Sequence, residues 1–329
     1  MAQAGSASGG PDASAPAWAA FANRVRKNAR HLRKWARRLS IACYRVYDRD
    51  IPEFAYAVDV YGAWAHLQAY ERAGAPDGQP GQDDALRQVV AEALQLEPAH
   101  VVLKRRAQRR AQQQHEKTGE RGRDLIVKEG GRRFIVNLEA YLDTGLFLDH
   151  RNTRALVAAE ACGKRMLNLF CYTGSFTVYA ATAGAASTSS VDLSNTYLDW
   201  ARRNLELNSV DLTRHQLLRA DVRRWLPQAA AEAKRFDLIV LDPPAFSTSK
   251  AMSGVLDIQR DYPELIAGCV RVLAPGGRLY FSTNLQSFRF DPARTAGLAA
   301  EEISHLTVPE DFRNRRIHRC WRLCAAPPG

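Results

Sequence analysis

Alternation of strands and helices is the feature that most restricts the fold of this chain. From about residue 150 onward, apolar strands at 166–170, 187–191, 215–218, 236–241 and 278–282 are separated by helices that begin near Ser175, Asn195 and Asp257. The segment 236–241 is almost wholly apolar, which is typical of a central parallel strand. With a helix near 292–302 and terminal strands near 304–308 and 317–323, the pattern predicts a doubly wound, mostly parallel, seven-stranded Rossmann-like α/β sheet.

The first 140 residues have a different organisation. Residues 1–17 are rich in Ala, Gly, Ser and Pro and are expected to form a disordered tail. Residues 18–40 carry apolar side chains at helical spacing, and short strands surround a predicted helix at 83–94. The sequence therefore predicts a basic N-terminal helix with a small α+β domain over 18–140, followed by the α/β domain over 141–329.

Basic residues occur in blocks. The chain has 46 Lys or Arg against 35 Asp or Glu, a net charge of +11. One block lies in the 18–40 helix, a second at 104–123 and a third at 313–322. Such blocks pair with phosphates and release counterions, which favours an RNA partner. The candidate RNA-binding residues are Arg24, Lys27, Arg30, Lys34, Arg37, Arg105, Arg109, Lys250 and Arg315.

Several classes of protein are excluded by the composition. No apolar run reaches the roughly 18 residues that a membrane span requires, and residues 1–17 lack the basic and apolar parts of a signal peptide. The six cysteines form no CxxC pair, so no metal site is expected. Reduced thiols and the absence of a targeting signal favour a cytoplasmic protein.

Three acids follow successive strands of the predicted sheet. Asp192 is placed to accept the ribose hydroxyls of a nucleoside, Asp221 to accept adenine amino hydrogens, and Asp242 begins an Asp-Pro-Pro-Ala-Phe turn. The loop after the first strand has one glycine, Gly174, and matches neither the dinucleotide fingerprint nor the P-loop. Each acid alone fits a helix cap equally well. Together, at the ends of neighbouring strands, they predict a nucleoside site at the switch point of the sheet.

The run 168–246 resembles the class I methyltransferase motifs in their usual order. More narrowly, residues 20–324 resemble the guanine-N7 half of the bifunctional bacterial 23S rRNA methyltransferases. The most specific match is the string Asp-Thr-Gly-Leu-Phe-Leu-Asp-His-Arg at 143–151, and shorter matches occur at 21–24, 172–175, 191–194, 242–244 and 314–321.

The resemblance implies S-adenosylmethionine as the cofactor. The implied cofactor-binding residues are Asp149, Arg151, Asn168, Phe170, Tyr172, Thr173, Gly174, Ser175, Asp192, Leu193, Asp221 and Asp242. Of these, the 172–174 loop would line the methionine part, and Asp149 and Arg151 would face its amino-acid end. The candidate catalytic residues are Asp242, Pro243, Pro244 and Phe246, which would separate the methyl group from the target base. Phe246 would either stack on that base or pack in the core.

The resemblance also implies a substrate, 23S rRNA, either free or in a large-subunit assembly intermediate. The bifunctional relative has a further methyltransferase and an RNA-binding module. The chain is therefore expected to bind RNA through its own basic blocks, or with a separate RNA-binding or methyltransferase partner. Guanine N7 is an acceptor with an exposed lone pair and needs no deprotonation. No catalytic histidine is needed or expected, and His150 and His318 are expected to be structural or to contact RNA.

Three alternatives remain open: a cytosine-C5 methyltransferase, a guanine-N2 methyltransferase and a non-catalytic RNA-binding assembly factor. C5 chemistry needs a cysteine that adds to the pyrimidine, yet no cysteine occurs in the segment 281–284 after the fifth strand. Relatives that methylate an exocyclic amine commonly have an aromatic residue where this chain has Ala245. The three retained acids argue against a degenerate assembly factor.

Overall fold

The chain folds into two compact units, Met1–Arg110 and Ala111–Gly329. The computed structural model describes residues 15–70, 82–106, 122–141, 143–248, 254–295 and 297–325. Most of the predicted N-terminal tail lies outside these ranges, as do Arg109, Lys250 and most of the basic segment 104–123.

The first unit is a four-stranded sheet with two helices. Its elements are α1 (Ala15–Arg38), β1 (Cys43–Asp48), β2 (Tyr56–Tyr61), β3 (Trp64–Tyr70), α2 (Gln82–Leu94) and β4 (Val101–Arg106). The strand order is β1-β2-β3-β4. The first three strands are antiparallel, whereas β4 runs parallel to β3. A parallel neighbour requires a crossover connection, and α2 lies within it.

Helix α1 divides its residues between two faces. Phe21, Val25, Leu32 and Trp35 are buried in the core of the first unit, at the spacing of one helical stripe. All eight Lys and Arg residues between positions 24 and 38 are exposed. No helix within the described ranges has the length and hydropathy needed to cross a membrane.

The second unit contains the α/β sheet predicted from the sequence. It begins with a hairpin, β5 (Asp124–Glu129) and β6 (Arg132–Asn137), and a 3-10 turn at Leu148–His150. Its remaining elements are α3 (Arg151–Ala161), β7 (Arg165–Leu169), α4 (Ser175–Thr182), β8 (Ser187–Asp192), α5 (Asn195–Leu207), β9 (His215–Arg219), α6 (Val222–Ala231), β10 (Phe236–Leu241), β11 (Phe246–Ser247), β12 (Leu256–Asp257), α7 (Ile258–Val272), β13 (Leu273–Thr283), β14 (Leu298–Glu302), α8 (Ser304–Thr307) and β15 (Arg319–Ala325).

The large sheet has seven strands in the order β14-β15-β13-β10-β7-β8-β9. Strands β7, β8, β9, β10 and β13 are parallel, and β15 is antiparallel to both of its neighbours. The chain builds outward from β7 to β9 and then returns to place β10 on the other side of β7. The carboxyl ends of β7 and β10 therefore flank the switch point, where open α/β sheets bind ligands.

Two predictions near the C-terminus are wrong. The predicted helix at 292–302 is a 3-10 turn at Pro292–Arg294 followed by strand β14. The predicted strand at 304–308 is helix α8. The segment 298–302 consists of good helix formers, but it pairs with β15, and Glu301 and Glu302 form salt bridges with Arg322 and Arg319. Tertiary pairing thus overrides local helix propensity. Helices α3 and α6 were not among the predicted elements.

Candidate active site

The loop between β7 and α4 holds an unusual backbone. Phe170, Tyr172 and Gly174 have φ angles of 57°, 51° and 74°. Non-glycine residues rarely adopt this left-handed conformation, and such strain concentrates at functional sites. Gly174 caps α4, and a Cβ added there would lie 2.9 Å from Cβ of Ala201 in α5. The glycine is therefore required by its φ angle and by the close approach of the two helices.

Asp192 connects this loop to the next one. Its Oδ2 accepts a hydrogen bond from the backbone N–H of Tyr172 at 2.9 Å, and its Oδ1 accepts one from the N–H of Ser194 at 2.9 Å. The carboxylate is partly exposed. Because a carboxylate offers about four lone pairs, these bonds orient Asp192 and are compatible with further bonds to ligand hydroxyls. Leu193 follows it and is half-buried.

Thr173 and Asn168 hold the loop from below. The Thr173 hydroxyl donates to the carbonyl of Gly145 at 2.6 Å, which ties the loop to the 143–151 string. Asn168 is buried in β7, and its amide donates to the hydroxyl of Thr177 at 2.9 Å. Both predicted cofactor residues therefore contribute buried side-chain bonds that fix the loop, while Ser175 starts α4 and is half-buried.

Asp221 follows β9 at the same edge of the sheet. It is the N-cap of α6, where its Oδ1 accepts from the backbone N–H of Arg223 at 3.0 Å. One carboxylate oxygen of Asp221 therefore caps the helix, which is one of the two roles that the sequence left open. Its assignment to the adenine ring stays a prediction.

Asp242 follows β10, the strand beside β7. Its Oδ1 accepts from the hydroxyl of Ser282 at 2.6 Å. The contact follows from the parallel register of β10 and β13, which pairs Leu241 with Phe281. Pro243 is buried, Pro244 is half-buried, and Phe246 is half-buried in the short β11–β12 pair. The Asp-Pro-Pro turn therefore presents one oriented carboxylate at the switch point.

His150 lies beside Asp242, which is one of the predicted catalytic residues. Its Nε2 is 3.7 Å from Oδ2 of Asp242 and 3.9 Å from Oδ2 of Asp149. Burial lowers the pKa of His150, and the Asp242 carboxylate only partly opposes that shift. The imidazole is therefore neutral near pH 7. The signal was in the sequence, because His150 belongs to the same specific string as Asp149.

A second imidazole supports the first. The rings of His150 and His318 stack with centroids 4.2 Å apart and planes at 11°. Nδ1 of His318 bonds to Oδ2 of Asp149 at 3.0 Å, and its Nε2 bonds to the hydroxyl of Thr307 at 2.9 Å. Asp149, His150 and His318 also form a group of potential metal ligands. Since both nitrogens of His318 are already hydrogen-bonded, the group is better described as a network that orients His150.

Arg151 has a different environment from the one expected. Its guanidinium bonds to Oε2 of Glu129 at 3.0 Å and to Oδ1 of Asp311 at 2.7 Å, and all three side chains are almost fully buried. Arg154 bonds to the other oxygen of Glu129 at 2.6 Å and to the carbonyl of Phe147 at 2.9 Å. These paired, hydrogen-bonded charges anchor the 143–151 string to the β5–β6 hairpin. The contact of Arg151 with the cofactor stays a prediction.

The candidate RNA-binding residues differ in exposure. Arg24, Lys27, Arg30, Lys34 and Arg37 are all exposed on α1. Arg105 is half-buried and paired with Asp83. Arg315 is exposed, and its guanidinium also donates to the carbonyls of Val308 and Pro309. Helix α1 therefore offers the most regular basic surface.

Comparisons with known proteins agree with this geometry. The profile of a family described as S-adenosylmethionine-dependent methyltransferase matches residues 77–315. The chain is 56% identical over 307 residues to ribosomal RNA large subunit methyltransferase K of Neisseria meningitidis, covering 92% of this chain and 86% of the relative. It is 50% identical over 318 residues to methyltransferase K/L of Allochromatium vinosum, covering 94% of this chain but only 43% of that longer relative.

A solved structure shows the same fold. The crystal structure of SMU.776, a putative methyltransferase complexed with SAH, matches with a TM-score of 0.73 at 24% identity. The match covers 94% of this chain and 82% of that one.

Proposed function

Because the chain belongs to the S-adenosylmethionine-dependent methyltransferase family, we propose that it transfers the cofactor's methyl group to N7 of a guanine in 23S rRNA. Relatives at 50–56% identity are named ribosomal RNA large subunit methyltransferases. The exposed basic face of α1 supports a polyanionic substrate, since clustered Lys and Arg side chains neutralise phosphates.

The cofactor roles follow from the edge of the sheet where the acids lie. Asp192, oriented by two backbone amides, is assigned to the ribose hydroxyls, and Asp221 to the adenine amino group. The strained 172–174 loop is assigned to the methionine part, with Asp149 near its amino group. S-adenosylmethionine supplies an already activated methyl group, so the protein's contribution is to orient the acceptor and exclude water.

The observation that favours guanine over cytosine C5 as the acceptor is the placement of the thiols. Cys171, Cys269 and Cys320 are buried, and burial raises the pKa of each one. A buried thiol with a raised pKa is a poor nucleophile. The chemistry of cytosine C5, which needs a cysteine adduct, is therefore unsupported by these three residues.

The two thiols that are not buried, those of Cys162 and Cys324, lie at the opposite edge of the sheet. Cys162 ends α3 just before β7 begins, next to Gly184 before β8. Cys324 pairs with Arg278, far from the carboxyl end of β13. Guanine N7 needs neither a thiol nor a general base, and this agrees with a site built from the Asp242 carboxylate and a neutral imidazole.

The test is product identification. The protein is incubated with S-adenosylmethionine and 23S rRNA that lacks the modification, and the product nucleoside is identified by mass spectrometry and N7-specific cleavage. We expect N7-methylguanosine, reduced on the order of 100-fold in Asp242→Asn, the size of effect seen when one oriented electrostatic group is removed from an active site. Asp237→Asn is the matched control, because Asp237 lies at the other end of the same strand and pairs with Arg165.

The alternatives predict different outcomes. 5-Methylcytidine would overturn the thiol argument, and N2-methylguanosine would show that Ala245 does not exclude exocyclic amines. Failure to bind S-adenosylmethionine would favour the assembly factor. Equal loss of product in the Asp237 and Asp242 variants would contradict the placement of the site.

A further inference from the structure

His150 is held more tightly than a core histidine requires. Its side chain is only 7% exposed, its ring stacks on His318, and Nε2 is directed toward Asp242 and Asp149. Stacking fixes the plane of the imidazole, and the bonds of His318 to Asp149 and Thr307 fix its partner. The ring is therefore oriented from two elements, the 3-10 turn before α3 and the segment before β15.

The surroundings select one tautomer. Nδ1 of His150 is buried and has no hydrogen-bond partner within the described part of the chain. A proton there would be a buried, unsatisfied donor, which is costly. The carboxylates of Asp242 and Asp149 face Nε2 and favour a proton on that atom. Burial keeps the ring neutral. His150 is thus a fixed N–H donor, not an acceptor.

A fixed donor beside Asp242 matches one edge of one base. On the edge that carries N7, guanine presents two acceptors, N7 and O6, whereas adenine presents N7 and an amino donor. We infer that His150 is a specificity-determining residue whose Nε2–H donates to O6 of the target guanine. The inference rests on the proposed N7 methylation, since an attack at N7 places O6 beside the reacting atom, whereas an attack at N2 places O6 on the far side of the ring.

The neighbouring donors are engaged elsewhere. The Ser282 hydroxyl donates to Asp242, and both nitrogens of His318 are hydrogen-bonded. Among the described side chains around Asp242, His150 Nε2 makes no hydrogen bond of its own: both carboxylate distances exceed 3.5 Å. Adenine would place its amino group against this N–H. The tautomer that would accept from that amino group puts a proton on the buried Nδ1, so the site discriminates against adenine.

The test is a cycle between a protein group and a substrate atom. Once the methylated position is mapped, synthetic RNA fragments carry guanine, inosine, 2-aminopurine or adenine at that position. Inosine keeps O6 and lacks the 2-amino group, and 2-aminopurine lacks O6. Single-turnover methyl transfer is measured for wild type, His150→Leu and His150→Gln, with His305→Leu as an exposed-histidine control. Calorimetry measures S-adenosylmethionine affinity for each protein.

We expect wild type to methylate inosine at a rate within a few-fold of the rate for guanine. The rate for 2-aminopurine should be about tenfold lower, which is the effect of one lost hydrogen bond, and the rate for adenine should be lower still. His150→Leu should slow guanine about tenfold and leave 2-aminopurine unchanged. His150→Gln, which keeps an N–H donor, should retain part of the preference for guanine, and His305→Leu should retain all of it.

The inference is overturned if His150→Leu keeps the wild-type preference for guanine over 2-aminopurine. Equal slowing of the two substrates in that variant would show a merely structural role. If His150→Leu fails to bind the cofactor, His150→Gln is used in its place. Complete loss of the preference for guanine in His150→Gln would contradict the donor role. Absence of N7-methylguanosine with wild type would instead refute the proposed function.

Discussion

Gly174 provides the most direct test of the strained loop between β7 and α4, which we propose to bind the cofactor. Replacing it with alanine places a side chain at a φ of 74°, where a non-glycine residue costs about 1–2 kcal/mol. The new Cβ would also lie 2.9 Å from Cβ of Ala201, closer than real Cβ contacts, and overpacking of this kind costs about 1–3 kcal/mol. Gly174→Ala should therefore lower the free energy of unfolding of the second unit by about 2–5 kcal/mol.

Two further variants separate these contributions. Gly184 has a φ of 88°, but its added Cβ would meet only the sulfur of Cys162 at 3.4 Å, so Gly184→Ala should cost the backbone part alone. Adding Ala201→Gly to Gly174→Ala removes the clash while placing a glycine within α5, at a cost of about 1 kcal/mol. The double variant should therefore be less destabilised than the sum of the two single variants.

The assay is urea unfolding followed by hydrogen exchange of peptides from α4 and β7, which reports on this unit alone. S-adenosylmethionine affinity is measured in parallel, and we expect it to fall with the stability of the loop. The reasoning is refuted if Gly174→Ala costs no more than Gly184→Ala, or if Ala201→Gly shows no coupling to it.

Two other predictions concern charge. Replacing Arg30, Lys34 and Arg37 by Glu should weaken RNA binding and reduce its salt dependence without changing cofactor affinity, because these exposed residues lie on α1. Filter binding at several salt concentrations measures the RNA affinity, and calorimetry measures the cofactor affinity. An unchanged RNA affinity would contradict the prediction. The second concerns His150, whose folded-state pKa lies below its ordinary value of 6.5. Burial lowers this pKa most, and His318 and Arg154 also lower it, whereas the carboxylates of Asp242 and Asp149 raise it. Below about pH 6.5 the unfolded chain binds more protons than the folded chain, so the free energy of unfolding of wild type should decrease as the pH is lowered. This slope should flatten in His150→Gln, and an identical pH dependence of urea unfolding in both proteins would refute the prediction.

Much of the sheet could be predicted because its signals are local. Strand β10 is almost wholly apolar. Asp192, Asp221 and Asp242 each lie at the end of a strand or within two residues of it, so their common edge follows from parallel pairing alone. The segments at 298–302 and 304–307 could not be predicted in this way. The first segment depends on pairing with β15 and on salt bridges such as Arg322 to Glu301, and the second is held by the hydrogen bond from the backbone N–H of Cys320 to the Ser304 hydroxyl.

The site was predicted in its acids but not in its imidazoles. His150 and Asp242 are far apart in the sequence, and no periodicity relates them. Their 3.7 Å separation arises because the 3-10 turn before α3 is anchored through Arg154 to the buried Glu129 of the hairpin. The same buried carboxylate takes the guanidinium of Arg151, a residue that the sequence motif alone assigns to the cofactor.

The direction of β15 explains why the C-terminal segment reaches the site at all. A strand antiparallel to β13 begins where β13 ends, and Arg319 pairs with Thr283 at that end. His318, the residue just before Arg319, therefore lies at the carboxyl edge of the sheet. The loops that follow the other strands lie at the same edge. The sequence predicts the strand but not its direction, so it gives no reason to bring His318 to Asp149. The antiparallel last strand thus places His318 where it stacks on His150 and bonds to Asp149.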